Sequence, residues 1–314
     1  MTQLRFDDRV AVITGAGRGL GRAYAELLAS LGAKVVVNDV GGTMRGDVFE
    51  ADVAAEVVQA IKDDGGEAVA STDSVATAAG GQAIVESALD HYGRLDIVIH
   101  NAGNVRYGSL TELSYEDFEA VLDVHLRGAF HVVRAGFPVM AAAGYGRVVL
   151  TSSIGGIYGN KSVANYAVSK AGLIGLSNVV ALEGAEVGVR SNVIIPSALT
   201  RMAAGIDTSA YPDMRPELVA PAVGYLAHES CTPTGELLVA IAGRVARAYI
   251  GETPGVYQPA WTVDEVADRI DEIRDTDNSW ILPPLSAHAD HIGRSFAMAS
   301  REMPTGAAQP SKGK

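Results

Sequence analysis

Val10 to Leu28 reads "VAVITGAGRGLGRAYAELL". Five apolar or β-branched residues run straight into a glycine-rich turn, and a helical pattern starts at Leu20. A short continuous apolar run bounded by glycine is the mark of a strand buried on both faces. The turn spaces Gly15, Gly19 and Gly21 as Gly-x3-Gly-x-Gly. Such glycines let backbone approach a pyrophosphate closely, and the helix that follows offers free N–H groups and the positive end of its dipole. The stretch therefore assigns Gly15, Arg18, Gly19, Leu20 and Gly21 to a dinucleotide-binding turn; the bland alternative is a merely tight strand-to-helix connection.

The same alternation continues outward. Strands are expected at Lys34–Asn38, Ala68–Ser71, Leu95–His100, Arg147–Ser152, Arg190–Ile195 and Leu237–Ala242. Helices are expected between them at Leu20–Leu31, Ala51–Asp64, Thr77–Tyr92 and, as one long helix, Ser114–Met140. Strand and helix in repetition imply right-handed crossovers and an α/β, Rossmann-like doubly wound sheet of seven parallel strands with helices on both faces. Residues 1–250 form this domain in our reading. Residues 251–314 form a small C-terminal helical extension, with "GETPGVYQP" as a linker, a capping box at Thr262 and Glu265 opening a helix to about Arg274, a second helix capped by Ser286 and running to about Met303, and a disordered tail.

Composition narrows the partners. The chain has 314 residues, 48% of them hydrophobic, and a formal net charge of −12, so a nucleic-acid partner is not expected. Cys231 is the single cysteine, which excludes an intrachain disulfide and fits a reducing compartment; we expect a cytoplasmic protein. No secretory leader or long apolar span is visible, and "PSKGK" at the end matches no lipidation or peroxisomal pattern. No metal cluster is expected: His288 and His291 around Asp290 read as a solvated helix face.

The second strand ends in "VVVNDV", and Asp39 falls eighteen residues beyond Gly21. An acid there accepts from adenosine ribose hydroxyls and repels a 2′-phosphate, which favours NAD over NADP. Arg18 points the other way, since a guanidinium in the turn could pair with that phosphate. Asp73 and Ser74 in "STDSV" are candidates for the adenine edge or for a helix cap. Asn101, Ala102 and Gly103 in "HNAGN" give a small turn at the carboxyl end of the fourth strand, where ligands bind in this architecture.

"SSIGGIYGNKSVANYAVSK", Ser152 to Lys170, carries the chemistry. Tyr166 and Lys170 stand at i and i+4 and share a helix face. A free phenol, with a pKa of about 10, is a poor base at neutral pH, but a neighbouring ammonium favours the phenolate. Ser153, thirteen residues before the tyrosine, can orient a substrate oxygen. Together they make a proton acceptor for an alcohol that loses hydride.

"TGAGRGLG", "HNAG", this stretch and "IIPSALT" together resemble the classical short-chain dehydrogenase/reductase family over about Asp7 to Ile250. The resemblance implies that Tyr166 is the general acid/base, that Lys170 lowers its pKa and holds ribose, that Ser153 positions substrate, and that Asn101 supports the cofactor strand. It also implies that Pro196 and Thr200 begin a segment that contacts the nicotinamide and becomes the substrate lid. One residue departs: "DVHLRGAF" has His125 where the family carries an asparagine that holds a water beside the lysine. The histidine can keep that relay, or add a pH dependence.

"VVVNDVGG", "VHLRGAF", "GIYGN", "ANY", "VAP", "HES" and "TVDEVADRIDEI" are similar to the D-3-hydroxyacyl-CoA dehydrogenase module of peroxisomal multifunctional enzymes, here without a hydratase or sterol-carrier segment. The resemblance implies a small-molecule acyl-CoA or steroid substrate and a homodimer or homotetramer built on the two long helices. It leaves open NAD-dependent oxidation of a (3R)-hydroxyacyl-CoA, a 17β-hydroxysteroid dehydrogenase, a 3-oxoacyl-carrier-protein reductase and a non-catalytic NAD-sensing regulator. Leu199, Met202, Ala203, Ala204 and Ile206 would line an apolar lid, and Arg106, Lys161, Arg201, Arg244 and Arg247 are the basic residues expected to gather at the pocket mouth if CoA binds.

Overall fold

The computed structural model describes residues 4–47, 50, 52–200, 207, 209–281, 285 and 288–302. Arg201, Met202, Ala203, Ala204, Ile206, Ser286 and the tail from residue 303 lie outside the described residues, as do the side chains of His288, Asp290 and His291. The chain divides after Ala248 into two compact units.

The first unit opens with β1 (Val10–Thr14), α1 (Gly19–Ser30), β2 (Lys34–Asn38), α2 (Val53–Asp63), β3 (Glu67–Ser71), α3 (Ala78–Tyr92) and β4 (Ile97–His100). It continues with α4 (Tyr115–Leu122), α5 (Gly128–Ala142), β5 (Gly146–Thr151), α6 (Ile154–Tyr158), α7 (Ala164–Gly184), β6 (Val189–Ser197), α8 (Ala220–Ala227), β7 (Leu237–Ile241) and β8 (Arg244–Ala248). The sheet order is β3-β2-β1-β4-β5-β6-β7-β8. Order reverses between β1 and β4, and that switch point opens a crevice at the carboxyl ends of the strands.

The register follows from alternation. Ala11 and Ile13 of β1 join the core under α1, α2 and α8, whereas Val10 and Val12 join the core under α3, α5 and α7. All four are fully buried, so both faces of the strand are dry. Hence the apolar run is continuous rather than alternating.

Two expectations need correction. The sheet has an eighth strand, β8, which is antiparallel to β7. Its sequence "RVARA" is largely exposed, and charged residues on an outer strand blunt an otherwise sticky edge, which hides it from a hydrophobic search. The long helix is not continuous either. Ser114 caps α4, its side chain accepting from Asp117 N–H at 3.0 Å. A π-helical turn, Asp123–Arg127, then separates α4 from α5.

The second unit contains β9 (Gly251–Glu252), α9 (Val263–Asp268), α10 (Ile270–Ile273), β10 (Trp280–Ile281) and α11 (His288–Glu302), with β9 antiparallel to β10. The linker of the sequence reading therefore begins with a strand. The capping box forms: Thr262 accepts from Glu265 N–H and the Glu265 carboxylate accepts from Thr262 N–H at 2.8 Å. The helix it opens breaks at Arg269. Among the described residues no helix is long and apolar enough to cross a membrane, and no His, Cys, Asp and Glu group could hold a metal ion.

Candidate active site

A cavity of about 740 Å³ occupies the switch-point crevice. Its wall includes Gly15, Arg18, Gly19, Leu20, Asp39, Ser74, Asn101, Ala102, Gly103, His125, Ser153, Tyr166, Lys170, Pro196 and Thr200, so nearly every residue picked from sequence meets at one place. Gly21 and Asp73 do not line it. A Cβ at Gly21 would stand 2.2 Å from Gly15 O, so this glycine serves the packing of helix on turn. Asp73 is turned to Ser71, whose Oγ donates to its carboxylate at 3.1 Å. The cap of α3 is Thr77, which accepts from Gly80 N–H.

The turn after β1 is held by side chains behind it. Gly15 has φ 64°, and a Cβ there would lie 2.7 Å from Ala102 Cα. Asn101 Nδ2 donates to Thr14 O at 3.3 Å and to Gly15 O at 3.1 Å. Asp39 accepts from Gly17 N–H at 2.9 Å and from Gly41 N–H at 2.7 Å. Arg18 is ion-paired with Glu50, which no motif contained. The loop after β2 then bridges to the loop after β4: Val105 N donates to Met44 O at 2.8 Å and Arg106 Nε to Arg45 O at 3.1 Å.

The opposite wall is built from buried side chains. Lys170 is 3% exposed and donates to Thr151 O at 2.6 Å. Burial pushes its pKa down to about 7. Ser153 caps α6, accepting from Gly155 N–H at 3.1 Å, and hydrogen-bonds to the Tyr166 hydroxyl. Asn165, fully buried, accepts from Tyr166 N–H at 2.8 Å through Oδ1 while Nδ2 donates to the carbonyls of Arg106 and Asp117. It fixes the start of α7, and so the tyrosine, against the loop after β4. The expected lowering of the Tyr166 pKa is not found in the protein alone: burial raises it, and the bond from Ser153 opposes the rise. The lysine ammonium, 5.5 Å from the ring centroid, is itself disfavoured by burial and committed to the Thr151 carbonyl.

His125 sits within the π-helical turn, 1% exposed, its ring edge-on to Tyr166 with centroids 5.2 Å apart. Its Nε2 lies 3.0 Å from Asn104 N and 2.8 Å from Asn104 O. Gly103 makes room for the ring, since a Cβ there would stand 2.4 Å from His125 Cε1. Burial and the Lys170 charge hold its pKa well below the ordinary value. That direction keeps the imidazole neutral near neutral pH and argues against the pH-dependent alternative for His125.

A second histidine was passed over in the sequence. Thr14 Oγ1 accepts from the N–H groups of Asn101 and Ala102, so its own proton goes to His100 Nδ1 at 3.1 Å. The His100 proton then resides on Nε2 and is donated to the His125 carbonyl at 3.1 Å. Such a bond satisfies a carbonyl in a helix whose ladder is interrupted. A polar residue ending a buried strand was the available signal. His100 is also neutral, its pKa pushed down to about 3 by burial and by Lys170.

The residues suit a nicotinamide dinucleotide. Asn104 Oδ1, His125 Nδ1, Thr151 Oγ1 and Arg18 Nη1 are buried polar atoms without partners among the described residues, and all four residues line this cavity. Buried polar groups of this kind want a bound partner. Of the described candidates for the basic cluster, Arg106 alone lines the cavity, and it is paired with Asp117 at 2.8 Å. Arg247 pairs with Glu236 at 3.4 Å.

Known proteins share this architecture. Residues 9–209 match the sequence profile of the family described as short chain dehydrogenase. The peroxisomal multifunctional enzyme type 2 of Drosophila melanogaster is 45% identical over 292 residues, which is 93% of this chain and 48% of that protein. A short-chain type dehydrogenase/reductase of Mycobacterium tuberculosis is 44% identical over 270 residues, 85% of this chain and 94% of that protein. The solved structure of the full-length Drosophila enzyme covers 95% of this chain with a TM-score of 0.80 and 38% identity, over 50% of its own chain. The chain thus spans about half the length of that multifunctional enzyme.

Proposed function

The chain belongs to the short-chain dehydrogenase family, and from that premise we propose that it oxidises a (3R)-hydroxyacyl-CoA thioester to the 3-oxoacyl-CoA with NAD. The carrying observation is that Ser153, Tyr166 and Lys170 line the same cavity as the glycine turn and Asp39, on the wall opposite to them. Ser153 holds the substrate hydroxyl and Tyr166 takes its proton. Lys170, facing the tyrosine ring, supplies positive charge that favours the Tyr166 phenolate, the form able to take that proton. Asn165 and His125 hold Tyr166 in place, and Asp39 receives ribose hydroxyls. Bound NAD would supply the hydride acceptor.

The thioester reading rests on the motif resemblance and on the likeness to multifunctional enzymes. A 17β-hydroxysteroid is the second reading. It is favoured by the described basic candidates, of which Arg106 alone lines the cavity and is paired with Asp117, because a free steroid brings no phosphates to neutralise. Nicotinamide reduction with a panel of (3R)- and (3S)-hydroxyacyl-CoAs, 17β-hydroxysteroids and acyl-carrier-protein substrates tests this. Turnover of the (3R)-thioesters is expected. Turnover of steroid alone replaces the first reading with the second.

We also propose a homodimer or homotetramer. Phe130 on α5 and Val168, Val179 and Leu182 on α7 are 45–50% exposed, an apolar face on two long helices. A monomer alone in sedimentation at micromolar concentration overturns this. We propose a cytoplasmic location from the single cysteine, Cys231, which fits a reducing compartment. Cell fractionation checks it.

A further inference from the structure

Two charges at the rim of the cavity conflict. Asp39 would turn away a 2′-phosphate, whereas Arg18 would welcome one. A residue outside both motifs resolves the conflict. Arg18 Nη2 is ion-paired with Glu50 Oε2.

The position of Glu50 is fixed by the same groups that fix Asp39. Glu50 N donates to Gly41 O at 2.8 Å. Gly41 has φ 74°, and a Cβ there would stand 1.9 Å from Glu50 O, so the two strands of the loop meet only because residue 41 is glycine. Gly41 N donates to Asp39 Oδ1, and Asp39 Oδ2 accepts from Gly17 N, next to Arg18. Gly17, Asp39, Gly41, Glu50 and Arg18 therefore form a closed ring. It holds two carboxylates and one guanidinium, a net negative rim.

We propose that Glu50 is a specificity-determining residue that withholds Arg18 from a 2′-phosphate, so that NAD is selected by Asp39 and Glu50 together. The proposal rests on the NAD reading above. A guanidinium recruits phosphate best when both its arms are available. Here one arm is taken by Glu50, and Nη1 is buried without a partner among the described residues. A 2′-phosphate would have to displace Glu50 and then sit beside two carboxylates. The side chains of Arg18 and Glu50 are 27% and 56% exposed, so the pair adds little to stability. Its effect is on competition for Arg18.

The test compares the full chain with Glu50→Gln, which keeps shape and backbone anchor but removes charge, and with Glu50→Gln combined with Arg18→Ala. Dissociation constants for 2′,5′-ADP and 5′-ADP are measured by calorimetry, alongside kcat/KM for NADP and NAD. Glu50→Gln should improve the binding of 2′,5′-ADP relative to 5′-ADP by about tenfold or more, the size of one freed charge-assisted bond. Removing Arg18 in that background should abolish the gain. A ratio within about twofold of the unmodified protein overturns the proposal, and so does a gain that survives the loss of Arg18. The NAD reading has its own readout: it falls if the unmodified protein binds 2′,5′-ADP as well as 5′-ADP, whatever the variants do.

Discussion

On the β1–β2 side of the cavity, the groups that would face a ligand are backbone amides and partly exposed charges: the glycine turn, Asp39, Arg18 and Glu50. On the β4–β5 side they are the buried His125 and Lys170 and the partly buried Tyr166, with Asn165 and His100 behind them. Exposed charges act by sign, and salt screens them. Burial is the first cause of shift in the buried groups: it lowers Lys170, His125 and His100, the last two with help from the Lys170 charge, and raises Tyr166. One side is thus suited to choosing a nucleotide and the other to moving a proton.

Removing the acceptor from the buried side is the strongest way to separate the two. Tyr166→Phe keeps the ring against His125 but loses the hydroxyl that Ser153 contacts. We expect kcat to fall by roughly 10²–10⁴, with 5′-ADP affinity nearly unaltered. Retention of most of the activity would show that another group takes the proton. A matching loss of 5′-ADP affinity would show that the two sides are not separable.

Lys170 gives a smaller effect with a definite sign. Its pKa falls from 10.5 to about 7 on burial. Above pH 10.5 the lysine is neutral in both folded and unfolded chains and costs nothing. As pH falls toward 7 only the unfolded chain takes the proton, so folding loses ~1.4 kcal/mol per unit, and below 7 the loss is complete. Lys170→Met lacks this slope. Whatever the offset from leaving the Thr151 carbonyl unpaired, the melting temperature of the variant relative to the parent should be highest near pH 6 and decline toward pH 9. A gap independent of pH would mean that the buried lysine is not the titrating group.

The same contrast decides what could be read in advance. The glycine turn was legible because a short run of residues builds it and glycine spacing records its geometry. Tyr166 and Lys170 were legible because helical spacing places them together. Glu50 was not, since its partner lies thirty-two residues away across an irregular loop. The π-helical turn was hidden because the hydrophobic pattern of residues 114–140 runs through it unbroken. What marks it is the bond from His100 to a carbonyl 25 residues on. Arg106 shows the converse. Its charge was visible as one candidate for a phosphate contact and it lines the cavity, but its pairing with Asp117 was not readable from the sequence.

His125 should give the smallest effect on the pH profile, and it tests the neutral reading most closely. The charged and titratable groups facing it are Lys170, His100 and Tyr166. Burial first, then the Lys170 charge, then His100 all disfavour its protonation, and only the bond to Asn104 favours it. An imidazole whose pKa is held well below its ordinary value by burial and by the Lys170 charge is neutral at neutral pH. His125→Asn, the residue of the wider family pattern, should therefore leave the midpoints of the kcat profile where they are, with a rate loss of about tenfold or less. The acid limb of stability should respond instead. A depressed histidine contributes fully above pH 6.5, and its contribution drains as pH falls, because only the unfolded chain gains the proton. The parent should lose ~1.4 kcal/mol per unit for His125 below that point, alongside an equal share from His100, and the variant only the His100 share. A kcat midpoint that moves by about a pH unit would mean that His125 carries charge during turnover.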